Sequence, residues 1–347
     1  KAIYRTEFSR GLGPVIEVDG SEGWGLAGTQ AEIIDVAGGT VEEVSSPMDS
    51  ARALHRALPL PNGDVFLLGG IGPTGSQALS SGAYFLAATR EFVAHTGVMN
   101  SPRQAMAVVP FGSAGNALVW GGNRPSSAGP GVFAEILSVT DQGEVTLDVP
   151  GMVTEQSDMG IPAFYPDGVQ LPSGRVLVTG GLVIDTLFDP HLTDPRVLRE
   201  YRVLDVTSGE ESILAPQEES HTMGLFACMH TATLLDRLNK VDGKDDPERK
   251  VLIAGGLTLA QPQDVVFEPQ QRVMFFLPWE NENNYFLSEQ IKGTAIALNV
   301  TRAGHTATAM DDGTVLLAGG LTGTGGQLAI AKSAEVFNAS SRSLRRE

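Results

Sequence analysis

Short apolar runs recur along this chain, and each stops at two adjacent glycines. They read "VFLLGG" at Gly69 and Gly70, "ALVWGG" at Gly121 and Gly122, "VLVTGG" at Gly180 and Gly181, "VLIAGG" at Gly255 and Gly256, and "VLLAGG" at Gly319 and Gly320. Apolar runs of this length bounded by turn residues predict β-strands. A second short run ending in a polar turn precedes each of them: "HRALPLPNGD", "AVVPFGSAGN", "DGVQLPSGR", "HTATLLDRLN" and "HTATAMDDGT". Strand, tight turn, strand is a β-hairpin. After each glycine pair comes a loop of variable length, then "AEIL", "EYRVLDV", "DVVFEP" or "AEVFNAS", a polar turn and a last strand. The unit is therefore four antiparallel strands.

The intervals between first glycines are 52, 59, 75 and 64 residues, a repeat of roughly fifty residues with loops of varying length inserted. A further copy of the third and fourth strands, "AEIIDVAGGTVEEV", stands at 31–44, where Gly38 and Gly39 belong to a turn. Its missing hairpin is sought in the degenerate "PVIEVDGSEGWGLAG" at 14–28. Six blades are expected, the first of them degenerate.

The phrase formed by Arg302, His305, Asp312, Gly313, Gly319 and Gly320, followed by Ala-Glu, resembles the bacterial kelch-like repeat. Arg52, His55, Asn62, Gly63, Gly69 and Gly70 repeat it. The resemblance covers nearly the whole chain and implies an all-β, kelch-like β-propeller of six four-stranded blades, forming a single domain over 1–347. Radial packing answers a physical need, because a small sheet hides both its faces only when a neighbour lies on each side. The tryptophan usual in the fourth kelch strand is absent, and Phe92, Val145 and Leu344 stand there instead.

Composition narrows the classes of function. The chain is 42% hydrophobic and 19% charged, with 41 glycines and 20 prolines, as suits many short strands and turns. Lys and Arg total 24 against 41 Asp and Glu, a net charge of -17 that repels a nucleic-acid backbone. No apolar run is long enough to span a bilayer as a helix. Cys228 is the sole cysteine, so an internal disulfide and a Cys-rich zinc site are excluded. The start at Lys1 fits a removed export signal, a removed lipid-anchor segment or simple trimming.

In a kelch-like propeller the loops between blades and those after Gly-Gly open on one face, and variable loops on a rigid scaffold are where ligands bind. The longest are "LVIDTLFDPHLTDPRVLR" and "PWENENNYFLSEQIKGTAIALNVTR". Asn123 and Arg124 on the loop after Gly121-Gly122, with Asp185, His191 and Tyr285 on the two longest, are the candidate ligand-binding residues. Arg52, Arg103 and Arg302 share one repeat position and are candidates for gripping a carboxylate or sulfate; the other reading of them is hydrogen bonding to loop carbonyls. His55, His230 and His305 also share a position, with Met106 and Pro166 in the other repeats. That incomplete set argues for structural histidines over a metal ring, so no metal and no cofactor are assigned.

Radical copper oxidases share the kelch propeller and carry an inner cysteine, but no motif here assigns Tyr165, Tyr201 or Tyr285 to their tyrosine roles. Cys228 is expected to be a buried, inert thiol. The insert "DRLNKVDGKDDPERK" reads as a solvated charged loop, and "GTGG" at 323–326 as a flexible one. "NVT" at Asn299 and "NAS" at Asn338 match the glycosylation pattern. The resulting expectation is a noncatalytic module that binds a protein or glycan through its loop-rich face, in an exported or cell-surface bacterial protein. The alternatives are a kelch-propeller enzyme, either a sugar mutarotase or an oxidase, and a structural subunit assembled with other chains.

Overall fold

The computed structural model describes residues 2–6, 28–35, 40–72, 78–112, 115–122, 134–140, 142–148, 163–183, 196–198, 201–206, 228–235, 240–241, 244–245, 250–261, 266–277, 285–287, 290–291, 294–310, 312–324, 327–338 and 343–346. Every regular element among them is a β-strand. Contacts divide the chain into two compact units, Lys1–Pro162 and Ala163–Glu347.

The first unit opens with a three-stranded antiparallel sheet of β1 (Ala2–Thr6), β2 (Ala31–Asp35) and β3 (Thr40–Glu43). Two four-stranded meanders follow. One holds β4 (Arg56–Pro59), β5 (Val65–Leu68), β6 (Gly82–Leu86) and β7 (Glu91–His95); the other holds β8 (Ala107–Pro110), β9 (Asn116–Trp120), β10 (Ala134–Val139) and β11 (Val145–Asp148). The strand ending on Gly-Gly is buried along its whole length in the first meander, because it lies second in its sheet with apolar packing on both faces. Leu58, Phe66, Leu68 and Tyr84 of one meander pack with Met106, Ala117, Val119 and Leu137 of the other.

The second unit begins with β12 (Asp167–Gln170) and β13 (Val176–Thr179), then a small ribbon of β14 (Leu182–Val183) and β15 (Arg196–Val197). β16 (Tyr201–Leu204) completes the three-stranded order β12-β13-β16. Next come β17 (Thr231–Leu234), the two-residue pair β18 (Lys240–Val241) and β19 (Lys244–Asp245), β20 (Val251–Ala254), β21 (Leu257–Gln261) and the long β22 (Val266–Leu277). β23 (Tyr285–Leu287) pairs with the end of β22, and β24 (Gln290–Ile291) pairs with β25 (Thr294–Ala295). β26 (Ala297–Arg302) leads to the last sheet, which comprises β27 (Thr306–Ala309), β28 (Thr314–Ala318), β31 (Ala334–Asn338) and β32 (Ser343–Arg346). Between its second and third strands stands the ribbon of β29 (Leu321–Thr324) and β30 (Gln327–Ile330).

Among the described residues five sheets carry the Gly-Gly strand, and the propeller has five blades where six were expected. The correction lies at the start of the chain. The strand beside β2 is Ala2–Thr6, in register from Ala2 opposite Asp35 to Thr6 opposite Ala31. Residues 14–27 lie outside the described ones.

A second correction concerns the fourth repeat. "DVVFEP" is not its third strand but the returning half of a ribbon, with Phe267 opposite Leu259. β22 then runs on past the glycine pair, and its second half, Val273 to Phe276, pairs with β20. The outermost strand is consequently β23, inside a stretch expected to be loop. The "GTGG" stretch is similarly ordered at its start, since Gly323 and Thr324 pair with Leu328 and Gln327. Part of the charged insert also forms a ladder, β18 with β19.

The outer-strand substitutes for tryptophan fall where expected. Phe92 on β7 pairs with Phe85 and stacks on it at 5.0 Å, Val145 starts β11, and Leu344 on β32 faces Phe337.

Candidate functional site at the Gly-Gly end of the sheets

Four of the five inner hairpins are entered through the same short device among the described residues. A residue forms a lone bridge to the position just after the glycine pair: Ala53 to Ile71, Phe164 to Leu182, Cys228 to Leu257 and Ala303 to Leu321. The two loop sets therefore meet at one end of each sheet. The next residue is left-handed in every repeat: Leu54, Ala105, Tyr165, Met229 and Gly304 have φ between 53° and 62°. Only one of these is glycine, and a side chain in this conformation costs about 1–2 kcal/mol.

These strained residues link one repeat to the next. Ala105 N–H donates to the Leu54 carbonyl in the first unit; Met229 N–H donates to Tyr165 and Gly304 N–H to Met229 in the second. Leu54, Tyr165 and Met229 are half-buried, and so is Phe164, whose ring lies 6.4 Å from that of Tyr165. In the second unit Phe164, Tyr165, Met229 and Phe267 pack against buried Leu182, Val197, Cys228, Leu257 and Ala303. The ribbons β14–β15, β21–β22 and β29–β30 extend from the same end.

The three arginines do structural work here. Arg103 and Arg302 are wholly buried and Arg52 nearly so. Nη1 of Arg52 donates to the carbonyls of Gly69 and Ser81, that of Arg103 to Gly121, and that of Arg302 to Gly319 and Ser333. A guanidinium so enclosed has no face for a carboxylate or sulfate ligand, so the ligand-gripping assignment gives way to the carbonyl-bonding one.

Their counter-charges vary in an informative way. Arg302 donates to Glu335 Oε1 at 2.8 Å, and Asn299 and Val300 N–H groups donate to the same carboxylate. Burial works to raise the Glu335 carboxyl, but these donors outweigh it and hold it below the ordinary range. In the second repeat Arg103 stands 3.8 Å from Glu135, and there burial prevails and raises the carboxyl despite Arg103 and two N–H donors. Where the first repeat has Ala83 in place of these glutamates, Asp49 supplies the negative charge near Arg52, partly opposing the lowering that burial imposes. The asparagine of "NVT" is also committed, because Asn299 Nδ2 donates to Glu335 at 2.9 Å.

The histidines couple repeats through hydroxyls. His230 Nε2 lies 2.7 Å from Thr179 Oγ1, and His305 Nε2 lies 3.0 Å from Thr231 Oγ1. Burial first, then nearby Arg302 and His230, lowers His305 to about 3; burial, then Arg52 and Arg56, lowers His55 to about 4. Both are neutral at pH 7. Among the described residues no group of three His, Cys, Asp or Glu side chains converges as a metal site would require. Cys228 is fully buried, its Sγ 3.8 Å from the Leu257 carbonyl, and burial pushes its thiol up to about 12.

Of the loop candidates, Asn123, Arg124, Asp185 and His191 lie outside the described residues. Tyr285 is placed in β23 opposite Leu277, on the outer strand of its sheet and not in a mouth loop. The residues missed from sequence are Leu54, Phe164, Tyr165 and Met229. No shared residue type marks their repeat position; only the spacing from the arginine or histidine could have found it.

No known family profile matches the chain, and no curated protein sequence does. Solved structures do: one described as "Structure of YjhT" superposes with a TM-score of 0.58 at 13% identity, covering 92% of both chains. YjhT is a propeller. The present chain has the all-β propeller fold. At that identity the likeness establishes architecture, and a propeller serves binding modules and enzymes alike. No helix among the described residues is long and apolar enough to cross a membrane.

Proposed function

We propose that this chain is a noncatalytic binding module that takes a protein or glycan ligand at the Gly-Gly end of its sheets, in an exported or cell-surface setting. The observation that carries this reading is the left-handed residue repeated at one position of the second unit, where the half-buried Tyr165 and Met229 side chains stand on a backbone hydrogen-bonded from Tyr165 through Met229 to Gly304. Backbone strain held at one end of a rigid scaffold is characteristic of ligand sites. An aromatic and thioether floor suits the apolar face of a sugar ring or a peptide side chain. Among the described residues at this end, Arg103 and Arg302 hold carbonyls, His230 and His305 meet threonines, and Cys228 is buried as a neutral thiol.

Glycan-array and protein-interaction screening of the wild type, repeated with Tyr165→Ala and Met229→Ala, tests this. A retained ligand should lose at least about tenfold in affinity with either variant, measured at a temperature where each variant is still fully folded. Equal binding by the variants, or turnover of a sugar by the wild type, would overturn the reading.

A further inference from the structure

Asn-Gly occurs once in the sequence, at Asn62-Gly63, and both residues are exposed. This pair is chemically self-reactive. The Gly63 nitrogen attacks Asn62 Cγ, the side-chain nitrogen leaves as ammonia, and water opens the resulting succinimide to aspartate or isoaspartate.

The turn that holds the pair restrains both reacting groups. Gly63 N–H donates to the Leu60 carbonyl at 3.0 Å, and Leu60 N–H donates to Asp64 at 2.9 Å. Asn62 Nδ2 donates to Asp64 Oδ2 at 2.8 Å, and Asn62 Oδ1 accepts from Asp64 N–H at 3.0 Å. Asp64 is itself buried and accepts from Tyr84 Oη at 3.0 Å and from Ala87 N–H at 2.7 Å, so it ties the β4–β5 turn to the end of β6. The equivalent turn of the last repeat has Asp312 in the asparagine's place, and there Thr314 stands where Asp64 does and donates to Asp312 Oδ1 at 2.6 Å. A carboxylate is accommodated at this position when its partner is a donor. At Asn62 the partner is a carboxylate.

We propose that Asn62 is a self-modification site, latched shut by Asp64 in the folded protein, whose conversion sets two carboxylates against each other and releases the β4–β5 turn from β6. The reaction consumes one water and releases one ammonia, and no other reactant is required. Loss of a charge-assisted hydrogen bond at the latch opens the turn about tenfold more often.

The experiment incubates the purified protein at mildly alkaline pH and quantifies aspartate and isoaspartate at Asn62 by peptide mapping, with the urea-unfolded chain as the ceiling. Folded wild type should convert far more slowly than the unfolded chain. Asp64→Ala, and the milder Tyr84→Phe, should move the folded rate toward that ceiling. In parallel, Asn62→Asp should lower the melting temperature, and adding Asp64→Asn should restore it by re-forming the amide–carboxylate pair in reverse. Equal conversion rates in wild type and both latch variants, or an Asn62→Asp protein as stable as wild type, would overturn the proposal. The charge-reversed pair keeps it testable if Asp64→Ala does not fold.

Discussion

Single residues show why the glycine pair is so regular. A Cβ at Gly255 would collide with the carbonyl oxygen of Arg302 and come within 2.8 Å of His305 Cε1, both from the following repeat. A Cβ at Gly319 would meet nothing within 4 Å among the described residues, although its φ of 68° is equally left-handed. The two positions therefore separate conformational strain from crowding. Gly319→Ala should cost about 1–2 kcal/mol, and Gly255→Ala about 3 kcal/mol or more, because a backbone oxygen cannot step aside. Denaturant titration of both variants checks this; equal losses would mean that crowding between repeats is not what selects glycine.

The same scale shows what was legible in the sequence and what was not. Arg52, Arg103 and Arg302 stood out by position, and their carbonyl-bonding role was one of two readings open. Geometry decided between them because burial leaves no other. The carboxylate partners were also on view in the recurring Ala-Glu, yet nothing local says that Glu335 lies against Arg302. Leu54, Tyr165 and Met229 were invisible, since a left-handed backbone leaves no mark when the residue is not glycine.

Among elements, the strands ending on Gly-Gly were the most legible, because continuous apolar runs have few other places to go than the middle of a sheet. The outer parts were less so. β22 reads as two strands in sequence, with Pro269 and polar Gln270 and Gln271 in its middle, but it passes the glycine pair unbroken. There Gln270 N–H donates to the Gly256 carbonyl and Gly255 N–H to Arg272, so the chain stays extended where a loop was expected. The buried half of β22 should dominate the stability of its sheet. Phe276→Ala, removing a fully buried ring that stacks on Tyr201 at 5.6 Å, should cost about 3–5 kcal/mol. Substitution of Gln271, exposed on the same strand, should change stability by less than about 0.5 kcal/mol.

Across the whole molecule, the buried histidines and Glu335 make stability fall toward acid pH, while Glu135, whose carboxyl is raised by burial, works in the opposite sense. His55 and His305 bind protons more weakly folded than unfolded, so the stability they confer is complete above about pH 6.5 and is lost as pH falls toward about 4 and about 3. Glu335, held below the ordinary carboxylate range, adds to the loss at still lower pH. Melting temperature against pH should therefore fall steeply on the acid side, and His305→Gln should flatten that slope. A variant with an unchanged slope would show that this imidazole does not titrate on unfolding.

Propeller architecture was foreseen from the repeat, and the blade count was not: the opening sheet has three strands, with Ala2–Thr6 beside β2. What the architecture means for function rests on the left-handed residues and the hydrogen bonds that join them. Amide hydrogen exchange measures that directly. Ala105, Met229 and Gly304 lie outside regular strands, yet their N–H groups should exchange as slowly as those of Leu67 or Ile253 in the buried strands. Exchange at the rate of open loop amides would contradict rigid coupling of one repeat to the next within each unit.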